Sequence, residues 1–115
     1  GASGRVLLQS FEIPVLERLR ALRPREPLGL LVEKIDDDPV SRCRALGAVA
    51  YNPDVAELLR RPKVVAALHS AGVALMPWTV DDPADWAALT ELGVDGIITN
   101  RPAELLAWQA AGPRA

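Results

Sequence analysis

Between Gly72 and Pro102 the chain carries an apolar run, a helical run opened by a proline, and a second apolar run, and this order leaves few folds open. Gly72-Val-Ala-Leu-Met-Pro-Trp-Thr-Val80 reads as a strand buried on both faces, because it is apolar without alternation. Asp81-Asp82-Pro83 then starts a helix that runs to Leu92 and stops at Gly93, and Gly96-Ile-Ile-Thr99 reads as the next strand. Together they make one βαβ unit. Parallel strands deliver their chemistry at their carboxyl ends, so Trp78, Thr79, Thr99 and Asn100 are the first candidates for a site.

The same punctuation recurs upstream. Val6 to Phe11 is strand-like, Pro14 sits in the first turn of a helix carrying Leu16, Leu19 and Leu22, and Pro24 and Pro27 end it. Leu28 to Val32 is a second short run. Asp36-Asp-Asp-Pro39 caps and opens a helix whose buried side carries Val40, Cys43 and Leu46, with Gly47 as its stop. Ala48 to Tyr51 reads as a third strand ending at Asn52. Asp54 to Leu59 supports a turn or two of helix, Pro62 to Ala71 a firmer one closed by Gly72, and Pro102 through Trp108 a last one. The fold class is α/β, with a parallel sheet between helices. Of the five strand-like runs, Leu28 to Val32 or Ala48 to Tyr51 is expected to be the peripheral or irregular one.

At 115 residues, half of them apolar, the chain is one domain or a piece of one and has enough apolar side chains for a core. Thirteen basic against 15 acidic residues give a net charge of -2, which predicts no general attraction to nucleic acid or anionic lipid. The basic residues Arg18, Arg20, Arg23 and Arg25 alternate with Glu17 and Glu26 as on a solvated face. One cysteine, Cys43, permits no intrachain disulfide and favours a cytoplasmic setting. No run spans a bilayer, and Gly1-Ala-Ser-Gly4 reads as a cloning remnant or a loop end.

The chemistry that motifs would bring is sparse. His69 and Cys43 are too few to complete a zinc site, and His69 lies at the end of a helix, where a cation is favoured. There is no Gly-x-Ser-x-Gly elbow and no glycine-rich phosphate loop. Asp36-Asp37-Asp38 and Asp81-Asp82 invite a divalent cation, but their places immediately before prolines argue for helix capping. Trp78 differs, since an indole at a strand's carboxyl end suits the wall of a ligand cleft.

Val6-Leu-Leu-Gln-Ser-Phe11, Ala48-Val-Ala-Tyr-Asn-Pro53, Leu68 through Val80, and Gly93-Val-Asp-Gly-Ile-Ile-Thr-Asn-Arg-Pro102 together resemble the C-terminal half of the glycerophosphodiester phosphodiesterase family. The resemblance covers nearly the whole chain. It implies about half of a TIM-type (β/α)8 barrel and, for a complete enzyme, hydrolysis of a glycerophosphodiester to glycerol phosphate and an alcohol. It also implies a divalent cation, magnesium or calcium, and a pair of histidines, none of whose His-Arg-Gly, Glu-x-Asp, His-Asp or Glu-x-Lys motifs occurs here. By resemblance Phe11 and Trp78 are apolar walls of the substrate cleft, with Asn52 and Thr79 beside them as substrate-binding candidates and no catalytic residue in this chain. The chain departs from the family at Gln9, where a smaller residue is usual, and at Asn100, where an aspartate is usual.

The resemblance further implies that the partner is either the missing N-terminal half or a second copy, since half a barrel leaves sheet edges unpaired. An alternative is a non-catalytic α/β module that self-associates or pairs with another chain through those edges. A flavodoxin-like signalling domain has the right size but lacks the acidic pocket at the first strand end.

Overall fold

The computed structural model describes residues 8–10, 13–22 and 27–111, and the statements below concern these. Val6, Leu7, Phe11 and the stretch Gly1 to Gly4 lie outside them. In chain order the elements are β1 (Leu8–Ser10), α1 (Ile13–Leu22), β2 (Leu28–Val32), α2 (Pro39–Leu46), β3 (Ala48–Pro53), α3 (Val55–Arg60), α4 (Val64–Ser70), β4 (Ala74–Leu75), α5 (Pro83–Leu92) and α6 (Pro102–Ala110).

The helix boundaries follow from their first and last residues. Pro39, Pro83 and Pro102 occupy first-turn positions, where a missing N–H costs nothing. Asp38 caps α2 by accepting from the Ser41 amide at 3.1 Å and the Ser41 hydroxyl at 2.7 Å, and Asp82 caps α5 by accepting from the Ala84 amide at 2.9 Å. Gly47 and Gly93 end α2 and α5 with φ of 67° and 82°, a left-handed conformation that side chains with a Cβ resist.

The strands form one parallel sheet in the order β1-β2-β3-β4. Its register aligns Leu30, Tyr51 and Leu75 side by side, all at most 1% exposed. Helices cover this row, and Cys43, Leu58, Leu68, Trp86 and Leu89 complete the core. The neighbouring row behaves differently: Leu31 and Met76 are only half-buried, and Asn52 is fully buried. The sheet does not close on itself among the described residues, and none of their helices is long and apolar enough to cross a membrane.

Two expectations about strands are corrected. Leu28–Val32 and Ala48–Pro53 are the longest and best-paired strands, so neither is peripheral. The irregular run is Gly96 to Thr99, which forms no strand although it lies beside β4. Hydrogen-bond donors explain why. The amides of Met76 and Trp78 point toward β3, donating to Tyr51 and Pro53 carbonyls at 3.4 and 3.1 Å. A fifth strand would have to receive the amides of residues 75 and 77. The Leu75 amide donates instead to the Asp95 carboxylate at 2.8 Å, and Pro77 has no amide hydrogen. What remains is Asp95 and Ile98 donating to the Leu75 and Pro77 carbonyls at 2.9 and 3.0 Å, and Val80 donating to Ile98 at 2.9 Å. β4 ends at Leu75, and its pairing with β3 resumes as a single bridge between Trp78 and Asp54.

Candidate functional site at the carboxyl ends of the strands

Pro77 to Asp81 is the centre of the carboxyl-end face because it is bonded on both flanks. Toward β3, Trp78 accepts from the Val55 amide at 2.7 Å and its indole N–H donates to the Asn52 carbonyl at 2.7 Å. The ring is thereby fixed across the end of β3 while remaining half-exposed, as a cleft wall requires. Asn52 itself is fully buried, so it reaches this face through the carbonyl that holds the indole. Thr79 is exposed, and its hydroxyl makes no hydrogen bond among the described residues. Phe11, the other expected wall, lies outside the described residues, as does the side chain of Gln9.

On the opposite flank the surprise is Asp81. Its position beside Asp82 suggested a cap, yet Asp82 alone caps α5. The Asp81 Oδ1 accepts from the Thr99 hydroxyl at 2.9 Å and from the Asn100 amide at 2.8 Å, and its Oδ2 from the Asn100 side-chain amide at 3.4 Å. Those donors hold its carboxyl below the usual carboxylate range, the Asn100 amide most and the Thr99 hydroxyl next. The Asp81 carbonyl accepts from the Arg101 guanidinium at 2.8 Å, and that guanidinium lies 5.8 Å from the Trp86 ring centroid. Thr99 and Asn100, both candidates by strand position, are thus brought together by a residue that the sequence placed elsewhere. The local signal is incomplete: two consecutive aspartates before one proline need only one cap, but nothing within the turn says which of them is free.

The loop after β2 is the third part of this face. Tyr51 donates its hydroxyl to Asp36 Oδ2 at 2.7 Å and accepts from the Asp36 amide at 3.0 Å, while Arg42 pairs with the same carboxylate at 3.2 Å. Burial, with the Asp36 carboxylate beside it, pushes the Tyr51 hydroxyl well above its ordinary range. Glu57 accepts from the Ile35 amide at 3.1 Å and pairs with Arg60. A cavity of about 350 Å³ opens here, lined among others by Glu33 and Lys34, two exposed residues that no motif singled out.

A divalent cation does not fit these residues. Among the described residues no three of His, Cys, Asp and Glu converge, and Asp36, Asp38 and Asp81 are each spent on protein donors. His69 sits at the other end of the sheet, its Nε2 2.7 Å from Asp95 Oδ2 near the start of β4. It is a helix-end histidine with a carboxylate partner.

Comparison with known proteins agrees with this architecture. Residues 1–104 match the profile of the Glycerophosphoryl diester phosphodiesterase family. A glycerophosphodiester phosphodiesterase from Caldanaerobacter subterraneus subsp. tengcongensis is 31% identical over 102 residues, which cover 89% of this chain and 41% of that protein. One from Bacillus subtilis strain 168 is 32% identical over 104 residues, covering 86% of this chain and 34% of that protein. Among solved structures, an Oleispira antarctica phosphodiesterase in complex with the product sn-glycerol-3-phosphate superimposes with a TM-score of 0.85 at 20% identity, over 90% of this chain and 41% of that one. The chain spans about two fifths of the length of these proteins. Its parallel strands and covering helices are part of a (β/α)8 barrel fold, and by sequence the chain belongs to the glycerophosphoryl diester phosphodiesterase family.

Proposed function

We propose that this chain is the C-terminal portion of a barrel enzyme that hydrolyses glycerophosphodiesters to glycerol phosphate and an alcohol, and that it supplies walls of the substrate cleft rather than the reacting groups. The observation that carries this reading is Trp78, a half-buried residue whose indole is pinned by Asn52 across a strand's carboxyl end. Such a ring offers apolar area to a glycerol or headgroup, with Thr79 beside it, and the family resemblance adds Phe11 as a further wall. The cation and the general acid of this reading come from the rest of the whole protein, because the residues described here do not make a cation site and His69 faces the other end of the sheet. The open sheet supports the companion proposal that the remaining half of the barrel, in the same protein, is what covers its inner face.

The test is release of glycerol phosphate from glycerophosphocholine by the whole protein containing this chain and by the 115-residue chain alone. Turnover by the former that chelation abolishes, with none by the latter, is the expected result. Turnover by the isolated chain would overturn the division of labour, and an inert whole protein would overturn the activity.

A further inference from the structure

The Asp81 carboxylate has an unusual set of partners: all its inter-segment donors come from Thr99 and Asn100, and none from the helix that follows it. We infer that Asp81 is a positioning residue that sets the turn Thr99–Arg101 against Trp78, and so fixes the spacing between two lips of the substrate cleft. This rests on the reading of the carboxyl-end face as that cleft.

The geometry separates this role from general fold support. The last main-chain bonds between the two segments are Val80 to Ile98 and Ile98 to Pro77, and the packing beneath them is supplied by Val80, Trp86 and Leu89, all at most 1% exposed. Asp81 lies beyond those bonds, at the surface, and what it holds is a turn whose Asn100 and Arg101 are exposed. Thr99 relays the constraint by accepting from the Arg101 amide at 3.0 Å, and the Asp81 carbonyl orients the Arg101 guanidinium. Three residues before Asp81, Trp78 is tied to β3. One short segment therefore carries one lip and dictates the other. Both of the short bonds fall on Oδ1, so an amide oxygen at this position can still accept them as neutral bonds, whereas a methyl group accepts none.

Asp81→Ala and Asp81→Asn in the whole protein test this through steady-state kinetics and amide exchange. Asp81→Ala should speed exchange of the Asn100 amide by about tenfold or more, the factor that losing one charge-assisted bond corresponds to. KM for glycerophosphocholine should rise by about tenfold with kcat within about twofold, as removal of uniform binding requires. Asp81→Asn, which keeps the Oδ1 acceptor without the charge, should lie between wild type and Asp81→Ala in both readings, and exchange at Leu89 should not change in either variant. Faster Asn100 exchange with an unchanged KM would overturn the inference, as would unchanged Asn100 exchange. If the wild-type protein turns over no substrate, the functional reading fails on that control alone, while the exchange data still report whether Asp81 holds the turn.

Discussion

The indole N–H of Trp78 donates to the main-chain carbonyl of Asn52 at 2.7 Å, joining residues 26 positions apart across the end of β3. A side chain fixed in this way loses less rotamer freedom when a ligand packs on it, which is what a cleft wall needs. A second indole, Trp86, is 1% exposed and donates to the Val80 carbonyl at 2.7 Å, so the two rings share a bonding mode and differ in burial.

That difference predicts unequal stability losses. Trp86→Ala should cost about 3–5 kcal/mol, as for a fully buried aromatic, whereas Trp78→Ala should cost about 1–2 kcal/mol, since it forfeits one hydrogen bond and part of a ring. Urea midpoints of the two variants, measured beside activity in the whole protein, check this. Equal losses would make Trp78 a core residue and count against the proposal that it is a cleft wall.

Acid should destabilise the fold through three carboxylates. Asp38, Glu57 and Asp81 are all held below their ordinary values of 3.8, 4.5 and 3.8, by the Ser41 hydroxyl, the Arg60 guanidinium and the Asn100 amide respectively as the largest causes. A group whose pKa is depressed by folding stabilises the folded state fully above its unfolded value and loses that contribution as pH falls through the folded one. Stability from these groups should thus be level above about pH 5 and fall below about pH 4. Denaturant titrations at pH 6, 4 and 3 should show the decline, and a shallower one in Asp81→Asn. A stability that rises on acidification would contradict the assignment.

Cys43 should be silent in the folded protein. Burial pushes its thiol from 9.0 up to about 11, with the Asp36 carboxylate adding to the effect. The thiolate that reacts is then scarce at pH 8, and a chromogenic disulfide should titrate the cysteine only on unfolding. Because this pKa is raised, the associated stability is complete below pH 9 and declines as pH climbs through about 11. Rapid labelling of the native protein at pH 8 would place the thiol at the surface.

The parts of this fold written in local chemistry were legible in the sequence. Asp82-Pro83 and Gly93 bound α5 where expected, and Asp38-Pro39 and Gly47 bound α2, because caps and stops depend on residues within one turn of each other. The strand expected at Gly96–Thr99 failed for a non-local reason. Its apolar pattern says only that it is buried or half-buried, whereas pairing depends on donors of the neighbouring segment, which Asp95 and Pro77 remove. The place of Trp78 at a strand's carboxyl end could be read from the apolar run alone. Asp81 could not, since its partners Thr99 and Asn100 are 18 and 19 residues away and nothing local selects it over Asp82 as the free carboxylate.

The pair His69 and Asp95 yields the last prediction, because its two members are not equivalent. Asp95 Oδ2 accepts from the Leu75 amide at 2.8 Å and lies 2.7 Å from His69 Nε2, so one oxygen serves both a backbone donor and a histidine. His69 is 35% exposed by its side chain, and losing it leaves Asp95 on Leu75 and returns the carboxylate to water. His69→Ala should therefore cost under about 1 kcal/mol, the range of exposed pairs. Asp95→Ala strips the acceptor from the amide of Leu75, a residue with no exposed surface, and Pro77 two residues on offers no donor around which a new ladder could form. That loss should cost about 1–3 kcal/mol, the penalty of a buried amide left without a partner. A double-mutant cycle read by urea unfolding separates the contributions. If the histidine rather than the backbone amide were the main partner, the two single variants would destabilise equally, and adding His69→Ala to Asp95→Ala would cost nothing further. A large cost for Asp95→Ala beside a small one for His69→Ala instead identifies Asp95 as the residue that occupies the place of the missing fifth-strand acceptor.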